Sequence, residues 1–182
     1  MASSSRFPLS DSQQNQDLSS HSEEFRNTTL DSKVRAGMEE MRLAGILCDV
    51  TLVAGNVDIQ AHKLVLANTS QYFYSMFTGG LKETDSSRIV IEGLDPQALT
   101  SLVQYSYTGN LVINQNNVIN VFTASKMLLY NEISEACSQF LKNQLHPENC
   151  LEFKEFAKIH NQSVLISCCD SYILEHFGEI VK

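Results

Sequence analysis

From Leu30 onward the apolar positions recur with periods that assign elements directly. Residues 1–28 (MASSSRFPLSDSQQNQDLSSHSEEFRNT) carry Ser, Gln and Asn with scattered charges. Too little apolar surface is present there to offset the entropy of ordering, which predicts a disordered tail. In LDSKVRAGMEEMRLAG, Asp31 or Ser32 caps a short helix with Val34, Met38 and Met41 on one stripe. Gly37 weakens that helix by about 1 kcal/mol relative to alanine, so it needs a surface to lie on. CDVTLVAGNVDIQAH alternates through Val50, Leu52 and Ala54, turns at Gly55-Asn56, and alternates again through Val57 and Ile59, the pattern of a β-hairpin.

HKLVLANTSQYFYSMF then predicts two short helices broken around Asn68-Thr69-Ser70. The second is strongly aromatic (Tyr72, Phe73, Met76, Phe77) and ends at Gly79-Gly80. A polar loop, LKETDSS, leads to a strand at RIVIEG. LDPQALTSLVQYSYTG is a helix with Asp95 as cap, Pro96 at its first position and Gly109 at its close. After a short LVI segment, Asn116 or Asn117 starts a helix through VINVFTASKMLLY, and EISEACSQFLKNQL supplies another. Pro147 interrupts the chain before two more helices, ENCLEFKEFAKIHN and SVLISCCDSYILEHF. Three strands followed by many helices predict an α+β fold with the helices segregated.

Composition narrows the function. Acidic residues outnumber basic ones 21 to 13, for a formal charge of −8. A basic footprint dominates nucleic-acid affinity, so this balance disfavours DNA or RNA as a partner. No apolar run approaches a membrane span and no signal peptide is evident, which points to the cytosol or nucleus. The odd set of five cysteines (Cys48, Cys137, Cys150, Cys168, Cys169) fits reduced thiols, with Cys48 and Cys137 as small core fillers. Zinc is disfavoured for His146, Cys150, Cys168 and Cys169, because no C-x-x-C pair exists and adjacent helical cysteines diverge by about a hundred degrees. No phosphate loop, nucleophile elbow or H-E-x-x-H pair is present, so nothing supports enzyme activity and no cofactor is implied. His62, at a strand-to-helix junction, is expected to make a structural hydrogen bond, and Tyr105 and Tyr107 to be core.

The order of segments is more informative than any single residue. CDVTL, AHKLVLANTSQYF-x-x-MF, a strand, LVQYSYTG and an Asn-rich helix start resemble the BTB/POZ domain across roughly residues 30–145. LHPENCL, residues 145–151, is similar to the junction between BTB and the helical BACK region in kelch-like adapters that bind cullin-3. The resemblance divides the chain into a tail (1–28), a BTB/POZ domain (29–145) and a truncated BACK region (146–182). Departures are Gln71, where the family commonly has Pro, and Ala124, Ser125 and Tyr130 in TASKMLLYN. Kelch repeats are not found: the chain has no Trp and one Gly-Gly pair, whereas a propeller repeats glycine and aromatic positions in each blade.

What the resemblance implies is an interaction module. The first helix would pack across a two-fold axis, with Val34, Met38 and Met41 at the dimer interface. Asp49 and Lys63 would form a structural charged pair near the dimer cleft. Leu81 and Glu83, in Leu81-Lys82-Glu83, stand where cullin-3-binding members carry a hydrophobic-x-Glu motif. Tyr74, Tyr130 and Asn131 would border the same surface, which would receive the cullin-3 N-terminal domain. In LEFKEFAKI, Leu151, Phe153, Phe156 and Ile159 would bury as one face, leaving Ile166, Ile173, Leu174 and Phe177 partly uncovered. Three roles fit: a cullin-3 adapter, a truncated regulator that dimerises with related BTB proteins, and a scaffolding or transcriptional BTB protein without cullin binding. The sequence names no recruited substrate.

Overall fold

The computed structural model describes residues 24–80 and 86–180. Helix α1 (Leu30–Leu43) leads to strands β1 (Val50–Ala54) and β2 (Val57–Ala61). Helices α2 (Lys63–Thr69) and α3 (Gln71–Thr78) precede strand β3 (Arg88–Val90). Then follow α4 (Pro96–Thr108), α5 (Val118–Met127), α6 (Asn131–Asn143), α7 (Cys150–Ile159), α8 (Ser163–Glu175) and α9 (Phe177–Ile180). The α+β architecture and the helical region after residue 145 are as the sequence pattern predicts.

The sheet has order β2-β1-β3, with β1 antiparallel to β2 and parallel to β3. Parallel pairing needs a crossover, and the chain between β2 and β3 supplies it with α2 and α3. Leu52 faces Ile59 on one side and Ile89 on the other, all three buried. Period two makes this register self-enforcing, since a one-residue slip would turn all three leucine and isoleucine side chains to the opposite face. Gly55 takes a left-handed φ of 55° at the hairpin turn, a conformation glycine adopts without a Cβ clash. Helix α4 packs against β2, α5 packs on α4 and α6 on α5, with Leu99, Leu102, Val103, Phe122 and Leu141 fully buried in one shared core.

Helix boundaries follow capping chemistry. Asp95 accepts the Ala98 amide at 2.8 Å and Pro96 occupies the first turn of α4. Ser70 accepts the Phe73 amide at 3.2 Å, so one serine ends α2 and starts α3. The first helix departs from expectation: it starts after Thr29, and Asp31 lies in its first turn rather than capping it. Instead the Asn27 carboxamide accepts the Thr29 amide and hydroxyl, at 3.0 and 2.9 Å, and Asp31 faces the positive end of the helix.

Two asparagines make the same clamp at different helix starts. Asn117 accepts the Asn114 amide through Oδ1 and donates through Nδ2 to the Val112 carbonyl, both at 2.8 Å. Asn149 repeats this with the His146 amide and the Gln144 carbonyl, again both at 2.8 Å. Each carboxamide thereby holds the five residues before its helix in a fixed turn. The second clamp gives LHPENCL its structural content: it sets the direction in which α7 leaves the end of α6.

Helix α7 corrects one expectation. Its inward stripe is Cys150, Phe153, Lys154 and Ala157, at the helical spacing i, i+3, i+4, i+7, whereas Leu151 and Ile159 are exposed. Phe156 meets Phe122 of α5 edge-on at 5.2 Å, and His160 packs against both rings. Burial and Lys126 together push the His160 imidazole below its ordinary pKa. Leu174 and Phe177 are exposed, and Ile166 and Ile173 half-buried.

The thiols also separate. Cys137, Cys150 and Cys169 are buried, while Cys48 and Cys168 are half-buried, so Cys48 is not the core filler expected of it. Burial pushes Cys137 up to about 12 and Cys169 to about 11. Because the thiolate is the reactive form, an aromatic disulfide reagent at pH 8 should titrate two thiols in the folded protein and all five in denaturant. Five fast thiols in the folded protein would refute this packing.

Candidate interaction surfaces

Helix α1 is amphipathic, yet none of its 14 residues is buried. Val34 is 49% exposed, and Leu43, Ile46 and Leu47 at its C-terminal end are also exposed. Met38, unlike Val34, packs half-buried against the core of its own chain. Met41 is half-buried as well. The helix is fastened by few groups. Arg42 makes two 2.8 Å bonds to Glu39, which raise its pKa, and its guanidinium lies 5.1 Å from the centre of the Tyr107 ring. Arg35 crosses Gly109 so closely that a Cβ there would lie 2.7 Å from its Nη1. Between α1 and the end of α4 a cleft of about 660 Å³ opens, lined by Asp31, Arg35, Glu39, Tyr107 and Thr108.

The connection from α1 to β1 is tied to the core by His62. Its backbone amide donates to the Tyr107 hydroxyl at 2.7 Å, and its ring nitrogens face that hydroxyl and the Ile46 carbonyl, each at 2.9 Å. Tyr107 donating to Nδ1 and Nε2–H donating to Ile46 satisfies every group. Burial pushes the Tyr107 hydroxyl up to about 12. Asp49 and Lys63 do meet, but the carboxylate accepts the Lys63 backbone amide at 2.7 Å, which fixes the start of α2. The Lys63 ammonium lies 5.6 Å from the centre of the Phe77 ring.

A second surface gathers around α3. Tyr74 is 51% exposed on it and Asn131 is exposed at the start of α6. Leu81 and Glu83 lie outside the described residues. Tyr130 needs correction as a surface residue: it is fully buried, and its hydroxyl bonds Ser106 at 2.7 Å, which in turn takes a 2.9 Å bond from Thr69. Desolvation raises its pKa. A phenol held at both ends by the core positions its neighbours and offers nothing to a partner. Ser70 extends the tie, donating to the Leu128 carbonyl at 2.7 Å. The turn between α5 and α6 is thus bound to the start of α3 by buried hydroxyls.

The residue this turn displays was not singled out from the sequence. Leu129 has φ 56° and is 44% exposed. The Tyr130 amide reaches back to Ser125 and the Leu129 amide to Lys126, the paired bonds of a Schellman cap. Glycine usually fills that left-handed position, because a Cβ there costs roughly 1–2 kcal/mol.

Among the described residues no group of three or more His, Cys, Asp or Glu side chains is placed to hold a metal ion. No described helix is long and apolar enough to cross a membrane. The described residues present two exposed surfaces, one on α1 and one around α3. Comparison with known proteins agrees with that architecture: the BTB/POZ domain family matches residues 38–145. The chain belongs to this family. Mouse Kelch-like protein 17 is 40% identical over 145 residues, covering 80% of this chain and 23% of the relative. Human Kelch-like protein 4 is 41% identical over 136 residues, covering 75% and 19%. The chain therefore spans about a quarter or less of the length of these relatives. The BTB domain of zebrafish PATZ1 superposes with a TM-score of 0.61 at 26% identity, covering 68% of this chain and all of that one. The protein is accordingly a BTB-type interaction module with kelch-like relatives.

Proposed function

We propose that the chain dimerises through α1 and binds the N-terminal domain of cullin-3, as an adapter or regulator of a ubiquitin ligase in the cytosol or nucleus. The observation that carries dimerisation is an amphipathic helix with no buried residue, continued by exposed Leu43, Ile46 and Leu47. An apolar run of this length left in water is unfavourable, and a second copy presents a self-complementary surface for it. In this reading residues 29–145 are the BTB/POZ unit, and residues 146–182 begin a BACK region that prolongs the cullin-facing side. Asp49 and Lys63 shape the edge of the dimer groove. The chain has no catalytic role.

The cullin surface consists of Tyr74, Asn131 and the segment Leu81-Lys82-Glu83, with Leu81 as apolar anchor and Glu83 fixing orientation. Tyr130 serves it from beneath. Kelch-like relatives at about 40% identity support this reading. Calorimetric titration with the cullin-3 N-terminal domain should give saturable binding at one cullin per chain. Leu81→Asp with Glu83→Ala should weaken it at least tenfold, because loss of a central anchor costs more than about 1 kcal/mol and the new charge adds desolvation. Far-UV circular dichroism should not change. Absence of binding by the wild-type protein would leave a scaffolding or transcriptional role in its place.

A further inference from the structure

Helix α7 has ten residues, too few to stay helical in water without a surface to lie on. One support is α8, and the other is a cluster of three rings. Phe122 of α5 meets Phe156 edge-on at 5.2 Å and His160 edge-on at 5.3 Å, while Phe156 and His160 lie 4.5 Å apart. The imidazole is the odd member, because it alone of the three can acquire a charge between pH 5 and 8. It is also held in place. The Gln162 amide reaches back to the Ala157 carbonyl at 2.8 Å and the Asn161 amide to Lys158 at 3.1 Å, with Asn161 at φ 53°. The Gln162 carboxamide donates to the His160 carbonyl at 3.1 Å. His160 thus sits in a tight turn, half-buried against α5.

The surroundings decide which form of the ring fits. Lys126, the one charged residue of α5, lies close enough to oppose a second positive charge. Among the described residues no acceptor bonds either ring nitrogen. The nearby carboxylates are committed elsewhere: Glu155 pairs with Lys158, and Asp170 of α8 with Lys154, each at 2.6 Å. Glu152 is exposed two turns back along α7, and Glu175 closes the far end of α8. The last carbonyls of α7 favour a cation at this helix end. Burial and Lys126 outweigh them, and the imidazole is held below its ordinary pKa. A neutral ring packs as the third aromatic, whereas a charged one regains water only by leaving Phe122 and Phe156. We infer that His160 makes the seam between α5 and α7 pH-sensitive, closed while its ring is neutral and opened when the ring takes up a proton. Because α8 packs on α6 as well as on α7, the helical pair stays attached while the α7 side loosens. The sign follows from linkage. The docked ring titrates below the free one, so the seam is strongest above the ordinary imidazole range, near pH 6.5, and weakens as pH falls through it. One pH unit lower, the closed state loses at most about tenfold against the open one. Neither dimerisation nor cullin binding is required.

Hydrogen exchange of the full chain, followed by mass spectrometry at pH 7.5 and 5.5 and corrected for intrinsic rates, tests this. Amides of residues 153–162 should exchange faster at the lower pH by about threefold or more, while those of α6 keep their protection. His160→Phe keeps a ring in the cluster but cannot take a proton, so the same amides should stay slow at both pH values. Lys126→Gln removes the facing cation, which brings the docked ring closer to its ordinary pKa and should shrink the pH effect. If wild type shows no difference, or if α6 loosens equally, the seam is not a pH-sensitive element and the inference is overturned. An undiminished effect in His160→Phe would assign the titration to another group and overturn it too. Should the phenyl ring fit badly and leave His160→Phe fast at both pH values, Lys126→Gln decides. A reduced pH effect there upholds His160, and an unchanged one overturns it.

Discussion

Phe122→Ala should destabilise the protein by about 3–5 kcal/mol, the range for truncating a fully buried aromatic ring. Phe122 is wholly inaccessible in α5 and touches both the core beneath the sheet and the rings of Phe156 and His160 on α7. Against a domain stability of about 5–15 kcal/mol the loss is large, and the melting temperature should fall by roughly 10 °C. Phe156→Ala should cost less, since that ring is half-buried. The pair distinguishes a docked α7 from an independent one. If α7 rests on α5 through these rings, the double variant should be less destabilised than the sum by about 0.5–1.5 kcal/mol. Additive losses in urea unfolding would show that the helices after Pro147 do not share the domain's core.

Much of this fold is legible locally, because the determining chemistry lies within a few residues. The hairpin needs only alternation around Gly55-Asn56. The break between α2 and α3 needs Ser70, and α4 carries its own start in Asp95-Pro96 and its own stop in Gly109. Where two distant segments decide, the reading fails. CLEFKEFAKI has apolar residues on more than one face, and only packing against α8 and the ring of Phe122 selects Cys150, Phe153 and Ala157 over Leu151 and Ile159. Tyr130 reads as a surface tyrosine in TASKMLLYN because its partners, Thr69 and Ser106, lie on other helices. Leu129 escapes notice for a related reason. A sequence displays residue types, while strain becomes visible only when a leucine is found at φ 56°.

The interaction surfaces divide in the same way. Val34, Met38 and Met41 form one stripe in the sequence, yet the structure splits them, since Met38 faces its own core and Val34 is half in water. The split makes a sharper test of dimerisation possible than charging the whole stripe. Val34→Glu should convert a dimer into a monomer without harming the chain that carries it. In the single chain the substitution falls on an exposed helical position, where surface changes stay within about 0.5 kcal/mol, and glutamate favours helix slightly over valine. Across a two-fold axis the same carboxylate is buried twice without a partner. A cost of about 3 kcal/mol corresponds to more than a hundredfold in dissociation constant. Light scattering at micromolar concentration should report twice the chain mass for wild type and the single mass for Val34→Glu, with helicity retained. Met38→Ala should do the reverse, lowering the unfolding midpoint while leaving the mass doubled. A Val34→Glu protein that stays dimeric would move the interface away from α1, and a monomeric wild type would leave the exposed Leu43, Ile46 and Leu47 to a different partner.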